Sequence, residues 1–202
     1  MQSVPHLEKT KHVARLQRVF IDTSELFPFT IMDVLLNLCE DRLFTWAWTD
    51  ELVDEWEEVI VREGMRTPES ARSVTDAVRT YFGRYRIDES LYRGKVSGSL
   101  SPDPGDRLHA AACIHGDVDV LLTRNLKDFQ APAIAQAGVQ VMSSDTFLTI
   151  LLSHRRQAVV ESVTRTAGSK KNPPITPAEL ADSIERAGAP QFAERLRAHL
   201  IE

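Results

Sequence analysis

The chain has 202 residues and a mass of 22.7 kDa, 43% of them hydrophobic and 26% charged, which suits one globular domain with a small appendage. A net charge of −5 and a pI of about 5.7 exclude a globally basic nucleic-acid binder, so any polyanion must be held by a local patch or through a metal ion. No apolar run reaches the roughly 18 residues of a membrane span, and the first residues contain no run long enough for a secretory signal. Cys39 and Cys113 are isolated, so no disulfide framework or CxxC zinc site is readable, and a reducing, cytoplasmic setting with no membrane partner is expected.

Residues 1–16 read as a basic tail, with Lys9, Lys11 and Arg15 against Glu8. The first strand is Val19-Phe20-Ile21, short, apolar and bounded by polar residues. A helical pattern over 30–40 follows, then a second strand at Phe44-Thr45-Trp46-Ala47-Trp48. The next helix runs over 49–63 and stops at Gly64; six acids crowd into its nine residues 50–58. Thr67-Pro68-Glu69 opens another helix with a cap residue and a first-turn proline. Residues 84–100 are polar and glycine-containing and predict a long loop.

A helix over 105–115 ends at Gly116, and strands follow at 118–123 and 139–142. The last strand leads into a helix from Ser144 to about Thr164, and the pattern breaks into a linker around 168–174. Residues 153–174 carry a local charge of +4. Thr176-Pro177-Ala178-Glu179 is a capping box, and Leu180, Ile184, Phe192, Leu196 and Leu200 predict a terminal helical hairpin. Strands alternating with helices imply an α/β fold with a mainly parallel central sheet flanked by helices on both faces.

In such a sheet, functional groups gather beyond the carboxyl ends of the strands. Asp22 directly follows the first strand, Asp106 opens the helix before the third, and Asp128 lies in the turn after it. On the helix from Thr49, the stripe Leu52, Trp56, Val59 and Ile60 faces inward, with Glu55 on one shoulder and Glu57 on the other; periodicity does not choose between them. Carboxylates converging without a basic partner repel one another. A hard divalent cation, Mg²⁺ or Mn²⁺, resolves that repulsion and suits cleavage of a phosphodiester.

The blocks VFIDTSEL, TDELVDEWEEVI, DPGDRLHAAACIHGDVDVLLTRNLKDF and GVQVMSSDTFL, over residues 17–152, resemble the PIN-domain ribonucleases, in particular the VapC toxins of toxin–antitoxin pairs. The resemblance implies a PIN-like three-layer sandwich over 17–153, followed by a basic linker and helical hairpin over 154–202. It implies a Mg²⁺- or Mn²⁺-dependent endoribonuclease, with Asp22, Asp106 and Asp128 as metal ligands and Glu55 as the fourth catalytic acid. Glu55 takes that place by its distance from Val59-Ile60. Thr23, Thr123 and Asn125 fall in the accompanying polar positions, and Asp103 matches an extra acid of one subgroup. Arg124 and Lys127 flank the acids as candidate RNA contacts. A cognate antitoxin protein and a homodimer are the implied protein partners.

Two other functions fit parts of the pattern. A PIN-fold scaffold would keep the acids as remnants. A Mg²⁺-dependent phosphatase with a strand-end Asp needs a second Asp two residues later, where Ser24 stands. Arg93-Gly94-Lys95-Val96 lacks the upstream glycine and the Ser or Thr of a phosphate loop. His109, Cys113 and His115 lack the further soft ligands zinc needs, so His109 is expected to pack in the core, as are Trp46, Trp48 and Trp56.

Overall fold

Four short parallel strands in the order β2-β1-β3-β4 form the centre of the computed structural model, which describes residues 16–200. They are β1 (Arg18–Ile21), β2 (Thr45–Ala47), β3 (Val120–Leu122) and β4 (Gln140–Met142). The helices are α1 (Thr23–Leu26), α2 (Phe29–Glu40), α3 (Asp50–Arg62), α4 (Pro68–Tyr81), α5 (Asp106–His115), α6 (Pro132–Gln136), α7 (Ser144–Ser169), α8 (Pro177–Arg186) and α9 (Pro190–Leu200). The expected α/β architecture is therefore present. Of the basic tail, residues 1–15 lie outside the described residues.

Val19, Phe20, Ile21, Val120, Leu121 and Leu122 are all buried, as a parallel sheet covered on both faces requires. Val19 pairs with Trp46 on one side and Val120 on the other, and Leu121 pairs with Val141. The chain leaves β1 toward β2 and leaves β3 toward β4, in opposite directions. The carboxyl ends of β1 and β3 thus lie side by side where the strand order reverses. The first residues past those ends, Asp22 and Thr123, stay in the ladder: Asp22 N–H donates to Leu122 O at 2.9 Å and Thr123 N–H to Met142 O at 3.0 Å.

Side-chain caps start the helices where the sequence predicts them. Thr49 accepts from Leu52 N–H, Thr67 from Ser70 N–H, and Thr176 with Glu179 forms the reciprocal capping box. On α3 the buried stripe is Leu52, Val53, Trp56 and Ile60; Val59 is only half-buried. All three tryptophans are in the core, and Trp48 Nε1 donates to Phe82 O at 3.0 Å.

Residues 84–100 are not a free loop. They form a strap with 3₁₀ turns at Glu89–Leu91 and Arg93–Lys95, and Ile87, Tyr92 and Leu100 are buried. Ile87 N–H donates to Trp48 O at 2.8 Å, and Tyr92 Oη donates to Glu51 on α3 at 2.5 Å. A Cβ at Gly116 would sit 2.7 Å from Ile87 Cδ1 and 2.6 Å from Ala112 O, so the end of α5 needs glycine for a close approach to the strap.

α7 is longer than expected. It runs to Ser169 with a kink where Arg155 leaves helical geometry, so the stretch after Arg155 is a second helical segment and the connection to α8 is confined to residues 170–176. The basic stretch is drawn onto α2 by Arg165 with Asp41 and by Lys170 with Asp33. Val159 and Val163 of α7, Leu180 and Ile184 of α8, and Phe192 and Leu196 of α9 all join the common core. The buried Asp145 fixes the hairpin, accepting the N–H of Phe192 at 2.8 Å and of Gln191 at 3.3 Å.

Candidate metal centre

Asp22 is 3% exposed at the end of β1. Its Oδ2 accepts the hydroxyls of Ser24 at 2.5 Å and Thr123 at 2.9 Å, while Oδ1 faces His109 Nδ1 at 3.5 Å. Ser24 Oγ also accepts Arg124 N–H at 3.0 Å, and Thr123 Oγ1 accepts Asn125 N–H at 3.0 Å. The turns after β1 and β3 are thereby knitted together around one carboxylate. Ser24 holds Asp22 where Thr23 was expected to assist; the Thr23 hydroxyl is buried beside the cleft without a hydrogen-bond partner.

Asp106 opens α5, and His109 follows one turn later on the same face. Asp22, Asp106 and His109 each offer one ligand atom, and the three atoms lie within 4.8 Å of one another. Glu55 borders the same cleft with its carboxylate 45% exposed, its Oε2 3.6 Å from His109 Nε2. Glu57 is turned away. It accepts the Thr75 hydroxyl at 2.5 Å and lies 3.7 Å from Arg72. Of the two shoulders left open by periodicity, Glu55 is the one that borders the cleft, while Glu57 is engaged by α4.

The remaining residues sit further out. Asp128 lies half-buried in the 3₁₀ turn Leu126–Phe129; its charge is felt at Asp106, but it is not one of the three groups that close to ligand distance. Asp103 accepts Gly105 N–H at 2.7 Å and so shapes the entry to α5, adding negative charge beside Asp106. Lys127 is exposed. Asn125, Arg124 and Arg62 line the cleft with the acids, in a volume of about 500 Å³.

The electrostatics follow from crowding. Burial, then the charge of Asp22, raises the Asp106 carboxyl to about 6. Burial also opposes ionisation of Asp22, yet His109 and the Ser24 and Thr123 hydroxyls hold it below the ordinary carboxylate range. His109 is held above its usual value: burial pushes it down, and the facing Asp22, Glu55 and Asp106 more than reverse that. At 3.5 Å the Nδ1···Oδ1 approach is long for a hydrogen bond and Nδ1 has no partner in bonding geometry, so the coupling is by charge. His109 was expected to be a packing residue. It stacks on Phe20 with ring centroids 5.5 Å apart, but both nitrogens face carboxylates. Its spacing of three from Asp106 was the available signal.

A divalent cation fits this donor set: two carboxylates and a buried imidazole each offer a ligand atom, already close enough to share one ion. The family model described as PIN domain matches residues 18–127, more than half of the chain. The chain belongs to the PIN-domain family. A second family model, VapC50 C-terminal domain, matches residues 144–198, so this PIN-domain protein is of the VapC type, a group made up in general of nucleases. No curated protein and no solved structure matches the chain.

The two matched segments of this PIN-domain protein meet at Glu25 of α1. Glu25, buried behind Asp22, accepts Ser144 N–H at the start of α7 and the Arg124 guanidinium from the turn after β3. Among the described residues no helix is long and apolar enough to cross a membrane.

Proposed function

We propose that this VapC-type PIN-domain protein is a Mg²⁺- or Mn²⁺-dependent endoribonuclease and the toxin of a type II toxin–antitoxin pair, acting in the cytoplasm. The observation that carries the reading is the convergence of ligand atoms of Asp22, Asp106 and His109 within 4.8 Å of one another, the two acids coming from positions 84 residues apart. The cluster lowers its own repulsion by raising the proton affinity of Asp106 and His109. A divalent cation satisfies the same demand more strongly.

Asp22, Asp106 and His109 would hold the ion, and the charge of Asp128 adds to the pull on it. When bound, it supplies Lewis acidity toward a phosphoryl oxygen and makes water a better nucleophile at neutral pH. Glu55 is exposed enough to accept a proton from the attacking water, which then leaves 5′-phosphate and 3′-hydroxyl ends. Ser24 and Thr123 fix the Asp22 carboxylate so that Oδ1 points into the cluster. Asn125, Arg124 and Lys127 border the path of an RNA backbone. A cognate antitoxin and a homodimer are the protein partners expected of a VapC-type toxin.

Incubation of the purified protein with RNA oligonucleotides, with and without Mn²⁺, tests the reading. Cleavage that requires the ion and is lost in Asp22→Asn supports it. Equal absence of cleavage in wild type and Asp22→Asn favours a binding scaffold instead.

A further inference from the structure

We propose that the α8–α9 turn is a working part of the cleft, in which Gly188 and the Ala187 carbonyl hold the Arg124 guanidinium as a clamp for a substrate phosphate. The inference rests on the nuclease reading and gives the C-terminal helices a role in it. Arg124 is the second residue past β3, and its backbone N–H donates to Ser24 Oγ, the same oxygen that donates to Asp22. Its Cα is therefore fixed beside the carboxylate cluster, and its side chain lines the same cleft as Asp22, Glu55 and Asp106.

The guanidinium has five N–H donors in a rigid fork. Nε donates to Glu25 Oε2 at 3.3 Å and Nη2 to Ala187 O at 2.5 Å. Among the described residues the other donors, both on Nη1 included, have no partner, and the side chain is 41% exposed. Arg62, the other cation of the cleft, is 68% exposed and pairs with its neighbour Glu63. Arg124 is thus a braced cation with spare donors at the edge of an acidic site, the geometry in which an arginine takes a phosphate oxygen.

Gly188 makes the brace possible. Its φ of +105° is one that L side chains rarely adopt, and a Cβ there would lie 3.0 Å from Arg124 Nη2 and 3.1 Å from Nη1. The guanidinium lies flat against space that only glycine leaves open. The turn itself is held by Asp145, which caps α9 and adjoins Ser144, the residue whose N–H meets the far oxygen of Glu25. Glu25, Arg124, the α8–α9 turn and the start of α7 close into one frame, with Gly188 as a positioning residue and Arg124 as the phosphate contact.

The test measures binding of a short single-stranded RNA in Ca²⁺ over a range of salt, with Mn²⁺ titrations and cleavage kinetics alongside. Arg124→Ala should weaken RNA binding roughly tenfold and flatten the salt dependence by about one phosphate contact, raising KM more than it lowers kcat and leaving Mn²⁺ affinity unchanged. Gly188→Ala should weaken binding in the same way in the wild-type background and add nothing in the Arg124→Ala background, the signature of two residues acting as one. Should Gly188→Ala not fold, Arg124→Lys decides: a retained charge without the fork should recover only part of the binding. Wild-type cleavage with unchanged affinity and salt slope in Arg124→Ala overturns the clamp alone. An equal loss from Gly188→Ala in both backgrounds overturns the link to the turn. A wild-type protein that neither binds nor cleaves RNA overturns the nuclease reading beneath both.

Discussion

Two acidic regions of this protein look alike in sequence and are opposite in chemistry. On α3, Asp50 pairs with Arg86, Glu51 with Tyr92 and Arg93, Asp54 with Arg79, and Glu57 with Thr75 and Arg72. At the strand ends, Asp22 and Asp106 have hydroxyls, a histidine and each other. These four α3 acids are spent on neighbouring elements, mostly in exposed pairs worth little each, while Glu55 of the same helix borders the cleft. The strand-end acids are gathered by long-range topology around one buried histidine, which more than one of them shares. Density of acids along the chain is therefore a poor guide to function, and the partner each one finds in three dimensions is a good one.

The contrast breaks most sharply at Asp22. Asp22→Asn should abolish Mn²⁺ binding by titration calorimetry and reduce RNA cleavage by about a hundredfold or more. The two shoulders of α3 come next. Glu55→Gln should cut kcat by about a hundredfold with Mn²⁺ affinity kept, read from single-turnover cleavage. Glu57→Gln should leave cleavage intact and cost on the order of 1 kcal/mol of stability in urea unfolding, because the hydrogen bond to Thr75 is weakened and the exposed pairing with Arg72 is lost.

A pH effect of intermediate size follows from Asp106, raised to about 6. Below that value an incoming ion must displace a proton, so Mn²⁺ affinity should fall about fourfold between pH 7.5 and pH 5.5 from this group alone. The stability sign is that of a raised carboxyl. In EDTA, Asp106 favours the folded state most below its ordinary 3.8, and that contribution is lost as pH rises through about 6, so added Mn²⁺ should raise the melting temperature more at pH 7.5 than at pH 5.5. The smallest effect belongs to the compensated region: Asp54→Asn should change stability by less than about 0.5 kcal/mol and leave Mn²⁺ binding untouched.

Much of this was legible before any coordinates. β1 and β3 announce themselves as short apolar runs, and Asp22 and Asp106 stand where a parallel sheet exposes its strand ends. Glu55 and Glu57 lie symmetrically about one helical stripe, and their partners in three dimensions tell them apart, His109 for the first and Thr75 with Arg72 for the second. His109 reads in the sequence as core filling, and it is buried against Phe20; that both its nitrogens also face carboxylates depends on Asp22, 87 residues earlier in the chain, and on Glu55. The strap over 84–100 was hidden by its polarity, since just a few residues, Ile87 and Tyr92 among them, anchor it. Glu25 gave no local signal at all, because its partners Ser144 and Arg124 are about a hundred residues away.

The close fit between Gly116 and Ile87 has a consequence for stability. The strap that Ile87 anchors also carries Tyr92, which bonds Glu51 on the helix that bears Glu55. Even a single added methyl at residue 116 must push Ile87 outward and loosen that brace, though no group in the cleft is altered. Gly116→Ala should accordingly lower the melting temperature in thermal unfolding while every side chain of the cleft keeps its chemistry, so that the support of the site can be weakened without touching the site itself.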